Sequence, residues 1–428
     1  MLSTMNYSRP SRIRPLFLAV GIACTLAFGL LASSIASATL GTTWTTRTSA
    51  ADNSWGAIAY GGPTGQELFV AVAYSGTGNR VMTSTDAITW TSQTTPANND
   101  WRGLTYGGPS GQELFVAVST TGTGNRVMTS PNGITWTSQT SAATSSWQSV
   151  TYGGPIGQKL FVAVASDGSG VMTSPNGITW TSQTAATNNR WSSVAYGGPV
   201  GQEKFVAVST NGTSNQVMTS TDGIQWTSQA TPAVREWIDV KYLNGVFIAL
   251  AVRGTPAIER VMTSIDGITW TVRNAAAENE WQSVAYGGGL FVAVSRTGIG
   301  NRVMTSTDGI QWTSQTSAAN NSWRAITYGG PAGQERFVAV SFSGTGTRVM
   351  TSENVVAPAP TQAPTASPTP TNAPTTTSAP TTTVAISKAL TTSDNQLPAT
   401  GDSSALAVLL GALCVFAGSF ITLRRRGA

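Results

Sequence analysis

Trp101-Arg102-Gly103-Leu104-Thr105-Tyr106, the turn Gly107-Gly108-Pro109-Ser110-Gly111-Gln112, Leu114-Phe115-Val116-Ala117-Val118, Arg126-Val127-Met128-Thr129-Ser130, and Ile134-Thr135-Trp136-Thr137-Ser138-Gln139-Thr140 follow one another within 40 residues. Four runs of β-branched and aromatic residues are thus separated by Gly, Pro, Asn and Ser, a pattern of four short strands, A to D, with turns between them. The pattern recurs. Tryptophans open strand A at Trp55, Trp101, Trp147, Trp191, Trp237, Trp281 and Trp323, spaced by 42 to 46 residues, and a tyrosine follows each one five residues later. A repeat of this length has to be settled before any local reading of secondary structure.

Seven four-stranded units of this size predict an all-β, seven-bladed β-propeller over residues 39–356. A parallel solenoid would use shorter rungs. A string of separate modules is the other arrangement, and the ends of the array speak against it. The last unit stops at Val349-Met350-Thr351-Ser352-Glu353-Asn354, with strands A, B and C but no D. Thr42-Thr43-Trp44-Thr45-Thr46-Arg47-Thr48 is a strand D with nothing before it. In a closed ring this N-terminal strand would complete blade seven and remove two open sheet edges.

The turn between C and D repeats as S-x-[DN]-G-I-[TQ]-W, as in Ser220 to Trp226 and Ser306 to Trp312. It resembles the Asp-box (BNR) repeat of sialidases and other propellers, though it is one residue shorter, and Ala87 replaces the glycine in blade one. A short Asp or Asn side chain accepts N–H bonds within its own turn, Gly takes the positive φ, and Trp is a large plate to pack between sheets. Six contiguous copies suit hairpin scaffolding. The strand-C methionines, the Phe of strand B and the strand-A Trp and Tyr are read as packing between blades.

The two ends of the chain predict export. Arg9, Arg12 and Arg14 precede the apolar stretch Leu16 to Leu31, and Ala36-Ser37-Ala38 forms a small-residue cleavage site, so residues 1–38 are read as a signal peptide cut after Ala38. Residues 357–395, rich in Pro, Thr and Ala, have too little apolar bulk for a core and are read as a disordered stalk. Extended at ~3.1 Å per residue, it would reach on the order of 100 Å. Leu397-Pro398-Ala399-Thr400-Gly401 is followed by an apolar segment, 405–423, long enough for a transmembrane helix, and by a basic cytoplasmic tail, 424–428. This order resembles the LPXTG sorting signal of Gram-positive surface proteins. The resemblance implies sortase as a partner, cleavage after Thr400, covalent attachment of Thr400 to peptidoglycan, and a membrane contact only through 405–423 before sorting.

Charge and composition narrow the function. Of 24 basic residues, the three arginines before the first apolar run and the three after the last belong to these end signals, which leaves 18 against 19 acidic residues. Nothing there suggests a nucleic-acid partner. The two cysteines, Cys24 and Cys414, lie in the end signals, and the chain has no histidine. Thiol chemistry, His bases and His-ligated metals are therefore excluded from the mature chain, and no cofactor or metal is expected.

A unique site should lie where the repeat varies. The A–B and C–D turns share one face of the disc, and the B–C and D–A loops share the other, more variable one. Asp100, Arg102, Arg190, Glu236, Glu280 and Arg324 flank the strand-A tryptophans there and are the candidate ligand-binding residues, with Asp167, Arg253, Glu259 and Arg296 in B–C loops. Blade five departs most, with Leu243-Asn244-Gly245 in place of the six-residue turn, so blades four to six are the expected location. The function read from these features is a non-catalytic, cell-wall-displayed binding or adhesion module for an extracellular glycan or protein. The alternative is a secreted sialidase-like glycoside hydrolase, in which Arg102, Arg190 and Arg324 would hold the substrate's acid.

Overall fold

A computed structural model describes residues 40–168 and 170–354. The signal peptide with Ala36 and Ala38, the stalk 357–395, the motif Leu397 to Gly401, the segment 405–423 and the tail 424–428 all lie outside the described residues. Among the described residues every regular element is a strand. The strands form seven four-stranded antiparallel sheets, and six of them run A-B-C-D in chain order. The seventh places Trp44–Arg47 as strand D beside Val349–Ser352, followed by Arg336–Ser341 and Trp323–Gly329. Trp44 faces Ser352, Thr45 faces Thr351, Thr46 faces Met350 and Arg47 faces Val349. The ring is therefore closed in the register that the split repeat implied, and the protein is a seven-bladed β-propeller.

Strand B explains how one sequence fills both sides of a blade. In Leu68–Ala73, alternate side chains point to opposite faces. Phe69, Ala71 and Ala73 join Trp55, Met82 and Trp90 of the same blade against Val338, Val340 and Val349 of blade seven. Leu68, Val70 and Val72 face the other way, against Trp101, Phe115 and Met128 of blade two. A bulky face of Trp, Phe and Met thus meets a flat valine face at each blade junction, giving seven clusters in all. All seven strand-A tryptophans are essentially inaccessible to solvent. Each indole N–H is satisfied, as when Trp191 donates to the Thr187 carbonyl at 3.2 Å.

Strand D is shorter than its sequence pattern suggests, covering only Thr137–Gln139 in blade two. The preceding Ile and Thr belong to the turn. In blade four, Asp222 Oδ1 accepts from the Ile224 and Gln225 amides at 2.8 and 2.9 Å and from Ser220 Oγ at 2.9 Å. Gly223 has φ 76°. Blade one places Ala87 in the same region, at φ 63°, where a Cβ costs on the order of 1 kcal/mol.

Burial raises the Asp222 and Asp266 pKa values, but hydrogen bonds to the carboxylates outweigh it and hold both below the ordinary value of 3.8. For Asp308 the amide of Gln311 is the largest influence, in the same direction. A depressed folded pKa gives stability that is complete above the unfolded value and lost as pH falls through the folded one. Asp222→Asn/Asp266→Asn/Asp308→Asn is therefore expected to melt near the parent's temperature at neutral pH and to lose less of it on acidification below about pH 4. Blades two and three already carry Asn132 and Asn176 here, with the same two amide bonds. A series of thermal melts against pH checks this, and parallel curves would contradict it.

Candidate functional site at the mouth of the central channel

Strand A lines the axis of the ring, and in every blade its ladder is interrupted just after the tryptophan. Trp147 pairs with Ala165 and Ser149 with Val164, leaving Gln148 as the extra residue of a β-bulge. The same shift follows each of the other six tryptophans. A bulge re-aims a side chain without disturbing the strand beyond it. The bulge residues are Gly56, Arg102, Gln148, Ser192, Ile238, Gln282 and Arg324, and all seven line the narrow channel. Seven copies of one backbone device thus present five residue types, Gly, Arg, Gln, Ser and Ile, with Arg and Gln each occurring twice.

A second ring sits above them, formed by the first residue after each strand B. In chain order it is Tyr74, Thr120, Ser166, Thr210, Val252, Arg296 and Phe342. In five blades an arginine just before strand C pins this position. Arg80 Nη1 donates to the Tyr74 carbonyl at 2.6 Å, Arg126 Nη1 to Thr120 at 2.7 Å, Arg302 Nη1 to Arg296 at 2.7 Å and Arg348 Nη1 to Phe342 at 2.6 Å, and Arg260 Nη1 bonds Val252. These repeated arginines are site scaffolding, a role the sequence pattern alone did not reveal.

The two rings converge on a cavity of about 450 Å³ lined by Arg102, Arg190, Glu236, Arg253, Arg296 and Arg324, with Thr210, Gln282 and Phe342. Four of the six candidate residues named from sequence, Arg102, Arg190, Glu236 and Arg324, line it directly. Glu280 joins through ion pairs with Arg296 and, at 3.8 Å, with Arg253. Arg253 also meets Glu236 at 3.7 Å. Asp100 is placed elsewhere, as the 3.1 Å partner of Arg80. Asp167 accepts from the Ser146 amide at 2.8 Å and Glu259 pairs with Arg235 at 2.5 Å, so both also serve loop structure.

The expected location in blades four to six covers only part of the mouth. The remainder crosses the seam of the ring. The rings of Tyr74 and Phe342 lie 4.9 Å apart, joining blades one and seven. The Arg324 Nε–H donates to the Tyr74 hydroxyl at 3.3 Å, and its Nη1 to Gln282 Oε1 at 2.5 Å. Arg102 stacks on the other side of the same tyrosine, its guanidinium carbon 3.7 Å from the ring centroid. Gly56 is bare for this reason: a Cβ there would stand 2.1 Å from the Tyr74 ring. Tyr74 and Phe342 escaped the sequence reading because it sought charge. Their signal was present, as the two aromatics in a column otherwise filled by Ser, Thr, Val and Arg.

One carboxylate sits lower in the channel wall. Buried Asp239 accepts from Ser193 Oγ at 3.1 Å and from the Val284 amide at 3.3 Å, tying blade five to both neighbours. No cluster of three or more His, Cys, Asp or Glu side chains suited to a metal occurs among the described residues.

No protein-family model matches the chain, and no curated protein matches it by sequence. Solved structures do resemble it. Virginiamycin B lyase from Staphylococcus aureus superposes with a TM-score of 0.59 at 10% identity, over 73% of this chain and 99% of that one. YCF48 bound to D1 peptide gives 0.52 at 13%, over 76% and 98%. BBS1N in complex with ARL6DN gives 0.53 at 7%, over 74% and 98%. Identities this low carry the architecture and no activity: the chain is a seven-bladed β-propeller, a distant structural neighbour of all three.

Proposed function

We propose that this chain is a cell-wall-anchored surface protein that displays its propeller as a non-catalytic binding module, with the ligand, an extracellular glycan or protein, taken at the channel mouth. One observation carries the reading. The ring repeats its core, turns and bulges, and changes its chemistry where the bulge residues and the strand-B exits meet the cavity. A scaffold with a grafted site has this appearance. Glu236, which lines the cavity, and Glu280, which pairs with its arginines, are both engaged in ion pairs, which supports binding over the hydrolase reading, where one carboxyl must exchange protons with substrate. Among the structural neighbours, YCF48 was solved with a peptide and BBS1N with a protein partner.

The anchor rests on Leu397-Pro398-Ala399-Thr400-Gly401, the apolar segment and the terminal arginines. In a Gram-positive host, the chain is expected in the wall fraction, released by muralytic digestion with peptidoglycan fragments attached at Thr400. Thr400→Ala should move it to the membrane fraction. Recovery of the unaltered C-terminus from the wall fraction would defeat the anchoring proposal.

A further inference from the structure

We infer that the propeller pairs with a second copy of itself across the face opposite the channel mouth. The long A–B turns of blades three and four of each copy fill a notch in blades five and six of the other. The inference goes beyond the binding function proposed above and uses none of the mouth residues.

The A–B turns differ in length. Six residues lie between the paired ends of strands A and B in blade three, Gly153 and Leu160, and in blade four, Gly197 and Lys204. Only two lie between Leu243 and Val246 in blade five and between Gly287 and Leu290 in blade six. Where the turns are short, the face holds a notch of about 580 Å³, walled by Asn244, Val246, Ile265, Arg273, Asp308 and Ile310.

The side chains on both sides of this step depart from the repeat. In the turn Gly-Gly-Pro-x-Gly-Gln, x is Thr64, Ser110 and Ala332 in blades one, two and seven, but Ile156 and Val200 in blades three and four. These two are 98% and 96% exposed. In the notch, Ile265 is 69% exposed where the other contiguous C–D turns carry Thr or Pro. Single apolar residues on a surface need no explanation. Two adjacent apolar projections, beside two adjacent blades that lack the projecting turn, place a knob and a hole on one face. A self-complementary interface needs both on the same patch.

Charge fits the same arrangement. A twofold axis lying in the face, between blades four and five, sets blade four of one copy on blade five of the other, and blade three on blade six. Glu203, at the end of the blade-four turn, then meets Arg273 of the second copy, and Lys159, at the end of the blade-three turn, meets Asp308. Both pairs are opposite in charge. Lys159 stands where the other long turns carry Glu67, Glu113, Glu203 and Glu335, and Arg273 stands where Gln93, Gln139, Gln183, Gln229 and Gln315 occur. None of Lys159, Glu203, Arg273 and Asp308 has an ion-pair partner among the described residues. The described chain ends at Asn354, after strand C of blade seven, so the pairing of blades three to six does not bury the point where the chain leaves the ring. Both mouths point away from the interface, which gives one dimer two sites for a repetitive ligand.

The patch lies at the small end of protein interfaces, so the chain is expected to be monomeric at about 1 μM and mostly dimeric at about 1 mM. Sedimentation of the full chain in density-matched detergent micelles follows this change. Ile156→Ser/Val200→Thr and Lys159→Glu/Arg273→Gln give each blade residues that its neighbours already carry, so the melting temperature should hold. Each double variant should raise the dimer dissociation constant at least tenfold, since every change acts twice across the axis. Contact is read directly by mixing two single-cysteine chains in a Cys24→Ser/Cys414→Ser background. A short thiol cross-linker should join Val200→Cys chains to Ile265→Cys chains. It should not join Thr64→Cys to Thr85→Cys, the same positions in blade one. Monomer throughout the range leaves the notch to another occupant and overturns the inference. So does dimer that either double variant leaves intact, as association through 405–423 would be, or equal linking of the blade-one pair.

Discussion

Deletion of residues 40–50 is expected to cost the propeller its single sharp thermal transition, lower its melting temperature by about 10 °C or more, and convert monomer to oligomers. The segment carries four of the residues that complete blade seven. It also carries Trp44, which is buried in the junction with blade six and donates its indole N–H to the Gly41 carbonyl at 2.9 Å. Loss of a buried tryptophan alone costs about 3–5 kcal/mol. The deletion further leaves Val349–Ser352 as an open edge beside a core strand, which invites pairing between molecules. Scanning calorimetry and size-exclusion chromatography read both effects. A truncated chain as monomeric and as heat-resistant as its parent would count against the closed ring.

The second large effect separates scaffold from site at adjacent residues. Trp191→Ala should destabilise the protein by about 3–5 kcal/mol, because the indole fills the blade three–four junction with Phe205 and Met218 and the surrounding strands cannot collapse into the space. Arg190→Gln, one residue away, should leave stability within about 0.5 kcal/mol. Chemical denaturation of the two variants makes the comparison, and an equal loss in both would show that the mouth side chains also hold the ring together.

The repeat was legible because it is governed by local chemistry. Trp, Phe, Met and Val recur at fixed spacings and turn residues fill the gaps, so strand count and blade count follow from period and propensity. Even the closure could be read, since strand D is missing at one end and supplied at the other. The limits were physical. Ile134 and Thr135 look like strand residues, yet their amides are taken by the Asn132 side chain, so the turn claims them. The bulge after each tryptophan leaves no mark in composition, and without it Arg102 and Arg324 could not be aimed into the channel. Asp100 and Arg102 look alike as charged neighbours of Trp101, but they sit on opposite sides of that tryptophan in the chain, and only the second is a bulge residue. The seam was invisible for another reason: the hydrogen bond between Arg324 and Tyr74 joins residues 250 apart, and only ring closure brings them together.

That dependence gives the most direct test. Closure by Trp44–Arg47 builds the last blade and also assembles the mouth from blades one and seven. Thr45 and Thr351 are directly opposed, and such pairs hold their Cβ atoms about 4.5–5.5 Å apart. With Thr45→Cys/Thr351→Cys in residues 40–354, which hold no other cysteine, a short thiol cross-linker should join the two within one molecule in nearly every folded chain. Links between molecules, or folded monomer that stays unlinked, would contradict the closed ring and with it the site.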